Sequence, residues 1–218
     1  VSALLGTPSD HHATLPLQLL AAFAFLSLVP LLLVTCTSFV RIVVVLSLVR
    51  SAIGASALPP NAVLTSLALV LTMVVMAPTA QRISREAIEP YERGAISPSQ
   101  AIARSIAPLH SFMLRQARAA DVAVFERIAR VRGVGPAAAP LTVLVPAFVV
   151  GELRDGFAIG FALYLPFVAI DLAVAAMLMG LGMMMLSPTV VSLPIKLLLF
   201  VMVDGWGVLC GGVAASFR

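Results

Sequence analysis

The sequence predicts an all-α, membrane-associated protein built from helical hairpins around a charged helical middle region. Three observations carry this. Of 218 residues, 61% are hydrophobic and 11% charged, whereas soluble domains run at roughly 45–50% apolar and about 25% charged. Too few polar residues remain to cover a water-facing surface. Long uncharged runs recur: 26 residues over Leu15–Val40, 20 over Ala62–Gln81, then Gly156–Ile170 and Leu172–Ile195, parted by Asp171. A helix needs about 20 apolar residues to cross the hydrocarbon. No stretch shows the period-two alternation of a strand.

Four regions follow. Residues 1–14 form an N-terminal segment without Lys or Arg. It lacks the basic n-region of a secretory signal, so the chain from Leu15 onward is expected to remain in the mature protein. Residues 15–80 read as a first apolar hairpin. Pro16 suits a first helical turn, and Pro30 is expected to kink the segment. Gly54 is placed as a C-terminal cap. Pro59 and Pro60 break the chain, Asn61 is placed as the cap of the next helix, and that helix is expected to end near Met76 or Pro78.

Residues 81–140 form the charged middle region, with nine arginines and five acids; the rest of the chain is neutral. Ser97-Pro98-Ser99-Gln100 reads as a capping box with proline at the first helical position. Asp121 is expected to open another helix, with Val124, Ile128 and Val131 as its apolar stripe. Gly133–Pro140 is a linker. The arginines lack the lysines and interleaved aromatics of a nucleic-acid surface.

Residues 141–218 form a second apolar hairpin. Gly156–Leu186 is expected to be interrupted at Pro166 and Asp171, and Pro188 marks a turn. Gly180-Leu181-Gly182-Met183-Met184-Met185 stands where a helix gives way to that turn. Methionine is unbranched and adapts its shape.

Charges inside apolar sequence are costly and need partners. Arg41, Arg50, Glu152, Arg154, Asp155, Asp171, Lys196 and Asp204 balance four against four, which points to pairing within or between subunits. Glu152 and Asp155, three apart, share a helix face. The intramembrane aspartates lack the Gly-x-Gly-Asp context of membrane aspartyl proteases, so no catalytic residue is assigned. Cys36 and Cys210 read as small hydrophobes. His11, His12 and His110 lack metal-ligand spacing, and no cofactor is expected. Asp171 alone would suit an ion-coupled polytopic transporter, the alternative reading. Such proteins often carry inverted repeats, and no repeat is visible here.

Several strings resemble one family. They are Ser38–Val45, Leu48–Gly54 with Pro59-Pro60-Asn61, Leu144–Phe148 with Gly151-Glu152-Leu153, Ile159-Gly160-Phe161, Pro166-Phe167 and Ile170-Asp171-Leu172. Then come the Gly-Met-Met-Met run, Leu193–Lys196 and Val203–Trp206. Over residues 16–80 and 141–217 these are similar to the FliP/SctR family of type III secretion export-gate proteins.

The resemblance implies a ring of like subunits, five in number, joined by FliQ/SctS-like and FliR/SctT-like proteins. Beside it work FlhB/SctU-like and FlhA/SctV-like export proteins. Unfolded secretion substrates pass through the middle, in the bacterial inner membrane with a periplasmic projection. It implies a methionine gasket at Met183, Met184 and Met185, and an intersubunit ion pair between Glu152 and Lys196. It also puts residues 81–140 on the periplasmic side, although arginine-rich loops ordinarily stay cytoplasmic. The missing basic n-region points to the injectisome (SctR/YscR/HrcR-like) branch rather than the flagellar one.

Overall fold

The computed structural model describes residues 23, 27–28, 30–55, 59–131, 138–183 and 185–217. All of its regular structure is helical. Helix α1 (Pro30–Cys36) meets α2 (Phe39–Ile53) at a 79° bend. The bend lies at Thr37-Ser38, beyond Pro30, whose surroundings are only partly described. Helix α2 ends on Gly54 at φ 85°, whose N–H bonds Ser51 O at 3.1 Å. A residue with a Cβ would be strained there, so the expected cap is the observed one.

Helix α3 begins at Asn61 and runs without a gap to Glu92. Two expectations change here. Pro60 is the N-cap, and the N–H groups of Val63 and Leu64 bond its carbonyl. Asn61 lies one residue inside, where its Oδ1 accepts from Arg50 Nη1 at 2.5 Å. Pro78 does not end the helix. An internal proline removes one backbone bond, and the other backbone bonds of this long helix outweigh that single loss. At Ser84–Ile88 the helix widens into a π-turn, with Glu89 N–H bonding Ser84 O. Pro90 follows at once and has no N–H to offer Glu86 O, so the ladder shifts rather than breaks.

The middle region folds over one end of this rod. Helix α4 (Pro98–Gln116) opens with the expected capping box: Gln100 N–H donates to Ser97 Oγ at 3.3 Å and Ser97 N–H to Gln100 Oε1 at 3.0 Å. Helix α5 (Ala119–Ile128) differs from expectation in both start and face. Arg118 is its N-cap. Val124 and Ile128 point outward at 40% and 68% exposure, while Asp121 and Val122 are buried. The inner face is set by an ion pair, described below, rather than by the apolar stripe.

Helix α6 (Leu141–Gly180) is continuous for 40 residues, and neither Pro166 nor Asp171 interrupts it. Helix α7 (Pro188–Met202) and α8 (Gly205–Ala215) complete the second hairpin with a 65° bend between them. Helices α3 and α6 are each long and apolar enough to cross a membrane, and the bent pairs α1–α2 and α7–α8 each pass the same test when taken together, as a broken span or a re-entrant loop.

Two cores hold these elements. One joins Ile42, Val45 and Leu46 of α2 to Leu64 and Ala68 of α3 and to Phe167, Phe200 and Leu209. The other joins Cys36, Phe112, Met113, Val122, Leu144 and Phe148. Helix α6 crosses α2 closely because Gly156 and Gly160 face it. A Cβ on Gly160 would lie 2.4 Å from Leu48 Cδ1 and 3.0 Å from its Cβ; one on Gly156 would lie 3.4 Å from Arg41 Cα. Small residues four apart let helix backbones approach in this way.

Candidate functional site

The charges buried in apolar sequence converge between the two cores. Arg41 on α2 is 3% exposed, and Glu152 on α6 is 1% exposed. Their contact is a two-pronged fork: Nε to Oε2 at 3.0 Å and Nη2 to Oε1 at 2.5 Å. Two buried charges lose several kcal/mol each in hydration, and only excellent geometry with further hydrogen bonds offsets that. Arg41 has both. Nη1 donates to Ser216 O at 3.1 Å and Ser216 Oγ at 3.2 Å, and Nη2 reaches Asp155 Oδ2 at 3.5 Å. The Phe217 ring lies 4.1 Å from the guanidinium carbon, at cation–π distance. One arginine thereby fastens α2, α6 and the end of α8.

The belt continues outward. Arg118 donates to Asp155 Oδ1. Arg154 grips Asp121 with two bonds of 2.7 and 2.8 Å. The hydrogen bond from Arg154 holds the Asp121 carboxyl below its ordinary value of 3.8. Asp121 fixes which face of α5 turns inward, because the carboxylate on this helix must meet Arg154 on the neighbouring one. The Cβ position of Gly151 lies only 3.9 Å from Asp121 Oδ2.

A second pair, buried Lys196 with partly buried Asp171, stands farther along α6. Lys196 Nζ on α7 donates to Asp171 Oδ2 at 2.6 Å and to Ala52 O at 3.0 Å. Ala52 lies in the last turn of α2, so the ammonium also satisfies a carbonyl left orphaned at a helix end. Ser192 Oγ donates to Asp171 Oδ1 at 2.5 Å.

Among the residues singled out in sequence, the structure therefore brings together Arg41, Glu152 and Asp155. It joins Asp171 to Lys196, and Arg154 to Asp121. Within one chain, Glu152 and Lys196 each have another partner, and neither charge requires the other. Gln116, Arg118, Asp121, Ser192 and Ser216 complete the network and were not among the sequence candidates. Their partners lie 21 to 175 residues away, so spacing carries no sign of them. Gly156 and Gly160 did carry a sign, the small-xxx-small spacing itself.

The methionine run occupies the turn between α6 and α7. Helix α6 closes with Gly182 at φ 72°, Gly182 N–H to Met179 O at 3.0 Å and Met183 N–H to Leu178 O at 2.9 Å. This is the Schellman pattern, which places glycine at the left-handed position. Met183 and Met185 consequently lie beyond the helix instead of lining one of its faces. Met183 is 44% and Met185 100% exposed; Met184 lies outside the described residues. Pro188 starts α7 at its first position, and Ser187 makes no side-chain cap.

The FliP family model matches residues 22–213. The flagellar biosynthetic protein FliP of Pectobacterium carotovorum subsp. carotovorum is 49% identical over 205 residues, covering 94% of this chain and 80% of that protein. FliP of Cereibacter sphaeroides is 45% identical over 221 residues, covering 100% and 72%. FliP of Bacillus subtilis (strain 168) is 42% identical over 215 residues, covering 98% and 97%.

Proposed function

Because this chain belongs to the FliP family, an export-gate family without catalytic activity, we propose that it is the channel-forming subunit of the gate. In this reading several like subunits, five by the family resemblance, pack side by side around a conduit for unfolded substrates. FliQ/SctS-like and FliR/SctT-like proteins join the ring, and FlhB/SctU-like and FlhA/SctV-like proteins work beside it. The assembly sits in the bacterial inner membrane and projects its middle region towards the periplasm.

The observation that carries the reading is the turn at Met183–Met185. A tight glycine-capped bend projects flexible apolar side chains from the tip of a hairpin, with Met185 fully exposed. Repeated around a ring, such tips would close a narrow passage with soft contacts that part for a polypeptide and re-form behind it. Replacing Met183, Met184 and Met185 by alanine is expected to leave assembly intact while the membrane leaks small ions. A tight membrane in that variant would contradict the gasket.

The transporter reading gains nothing from Asp171, which is tied to Lys196 and Ser192. The relatives named above carry the flagellar name, which supports the flagellar branch. The injectisome expectation rested on the chain before Leu15, outside the described residues. We assign the buried pairs a scaffold role within the subunit. A Glu152–Lys196 exchange between subunits would need both charges to change partners on assembly; restored assembly on reversing both would establish it.

A further inference from the structure

The 65° bend between α7 and α8 encloses a cavity of about 260 Å³. Val49 of α2, Phe167 of α6, Phe200 of α7 and Leu209 of α8 are its buried walls. Pro166, Val203 and Val208 form an exposed rim. Among the described residues, every side chain that lines it is apolar. The bend is held open against its own strain. Asp204 stands at the apex with φ 50°, a left-handed conformation unfavourable for any residue with a Cβ. Gly205 lets the Phe200 ring lie against the backbone, since a Cβ there would be 2.4 Å from its Cδ2. Trp206 meets the same ring edge-on, with centroids 5.2 Å apart. An apolar cavity of ~150 Å³ is already enough to take up benzene, so this elbow has room for a phenyl ring.

The complementary feature lies on the other side of α6. Phe157, Phe161, Leu165, Leu172 and Met179 are between 52% and 66% exposed, and their spacing puts them in one stripe along the helix. At about 100° per residue, Phe161 and the rim residue Pro166 point roughly 140° apart, while the helix rises only about 7.5 Å between them. Copies turned about one axis keep equivalent residues at one height. Phe161 of one copy therefore comes level with the elbow of the next. If each of the five side chains offers about half of the 150–250 Å² that a large one can bury, the stripe supplies on the order of 500 Å². That is most of the ~800 Å² that each side of a stable contact needs.

We propose that Phe161 of one copy seats in the α7–α8 elbow of the next, a head-to-tail contact that joins two different faces of the same chain. Such a contact repeats until the rotation closes. It presupposes the side-by-side ring proposed above and assigns the two faces that meet; the methionine turn and the charged pairs take no part in it.

The test uses the full chain in membranes, expressed with the gate proteins that complete the ring, with Cys36→Ala and Cys210→Ser removing the native thiols. Copies that carry both Phe161→Cys and Val208→Cys are expected to give a ladder of covalent multimers with a short bismaleimide, and either substitution alone only monomer. Dimers from Phe161→Cys alone would show the stripe meeting itself and overturn the elbow as its partner. No ladder in samples whose native mass shows an intact ring would overturn the contact and leave the ring standing, with the stripe given to lipid or to another gate protein. A chain that forms no ring at all would remove the ring and this contact with it. Val208→Trp overfills the rim and Phe161→Ala empties the elbow. Each is expected to lower the ring fraction roughly tenfold and to leave the thermal midpoint of the isolated subunit unchanged, since both side chains are exposed there. An unchanged ring fraction in both variants would overturn the contact. A lowered midpoint in Phe161→Ala would mean that the subunit's own chain already covers Phe161, and would overturn it too.

Discussion

Helix α6 is one unbroken rod, yet its two halves have opposite surroundings. In the first half Val143, Leu144, Ala147 and Phe148 are at most 1% exposed, enclosed by α4 and α5. In the second, Phe161, Leu165, Leu172, Met177 and Met179 are between 52% and 67% exposed. The charged belt at Glu152–Asp155 separates them. The first half is finished within the subunit. The second leaves an apolar face that only lipid or other subunits can cover. One end of the molecule therefore acts as a self-sufficient scaffold, and the other is incomplete alone.

The sharpest way to break this contrast is to remove one partner of the belt's central pair. Glu152→Ala takes the forked partner from buried Arg41 and leaves it only the longer contact to Asp155, at a cost of roughly 3 kcal/mol. The purified protein should lose most of its folded fraction, as read by a thermal midpoint in detergent. The double variant Arg41→Met with Glu152→Met should recover much of that loss, because an apolar pair of similar volume carries no desolvation penalty. A double variant as unstable as the single would show that Ser216 and Phe217, rather than the ion pair, hold the belt together.

A smaller loss tests the crossing of α2 and α6, which belongs to both halves. Gly160→Ala puts a methyl 2.4 Å from Leu48 Cδ1. Relief requires Leu48 to change rotamer or the helices to separate, at a cost of roughly 1–3 kcal/mol. Pairing it with Leu48→Ala should destabilise by less than the sum of the two single variants if the clash with Cδ1 is the cause.

Acid sharpens the comparison further, since the titratable pair Asp121–Arg154 belongs to the scaffold half. The folded-state pKa of Asp121 lies below 3.8, so its contribution to stability is fully present above that value. It is lost as pH falls through the depressed folded value. Asp121→Asn should flatten the acid limb of the stability profile below about pH 4 and leave the profile near neutrality parallel to the wild type and slightly lower; half-exposed Arg154 keeps the loss small. An unchanged acid limb would remove Asp121 from the belt.

What the sequence disclosed follows the range of the interactions. The capping box at Ser97–Gln100 and the glycine cap at Gly54 depend on neighbours within three residues, and both are where their residue types place them. Helix breaks at proline were less readable. Pro78 and Pro166 forfeit one hydrogen bond each, and the remaining backbone bonds of a long helix outweigh that loss, so both helices continue. The stripe on α5 misled because periodicity ranks apolar residues only, whereas Asp121 and its partner on α6 decide the orientation. That charges in apolar sequence must pair was plain from their cost. Which pairs they form was not, since Arg41 and Glu152 are 111 residues apart.

The smallest expected effect on stability belongs to the unfinished half, and it is the most informative about function. Met185 is fully exposed at the hairpin tip, so Met185→Ala removes no internal contact. Exposed substitutions of this kind ordinarily change stability by less than about 0.5 kcal/mol. If the tip has no task, ion permeability of membranes carrying the assembled ring should be equally indifferent. If tips from several subunits meet, truncating each one opens a gap repeated around the ring, and permeability should rise while the thermal midpoint stays still. Changes in both together would mean that the tip is part of the fold, and the division at the charged belt would then lie in the wrong place.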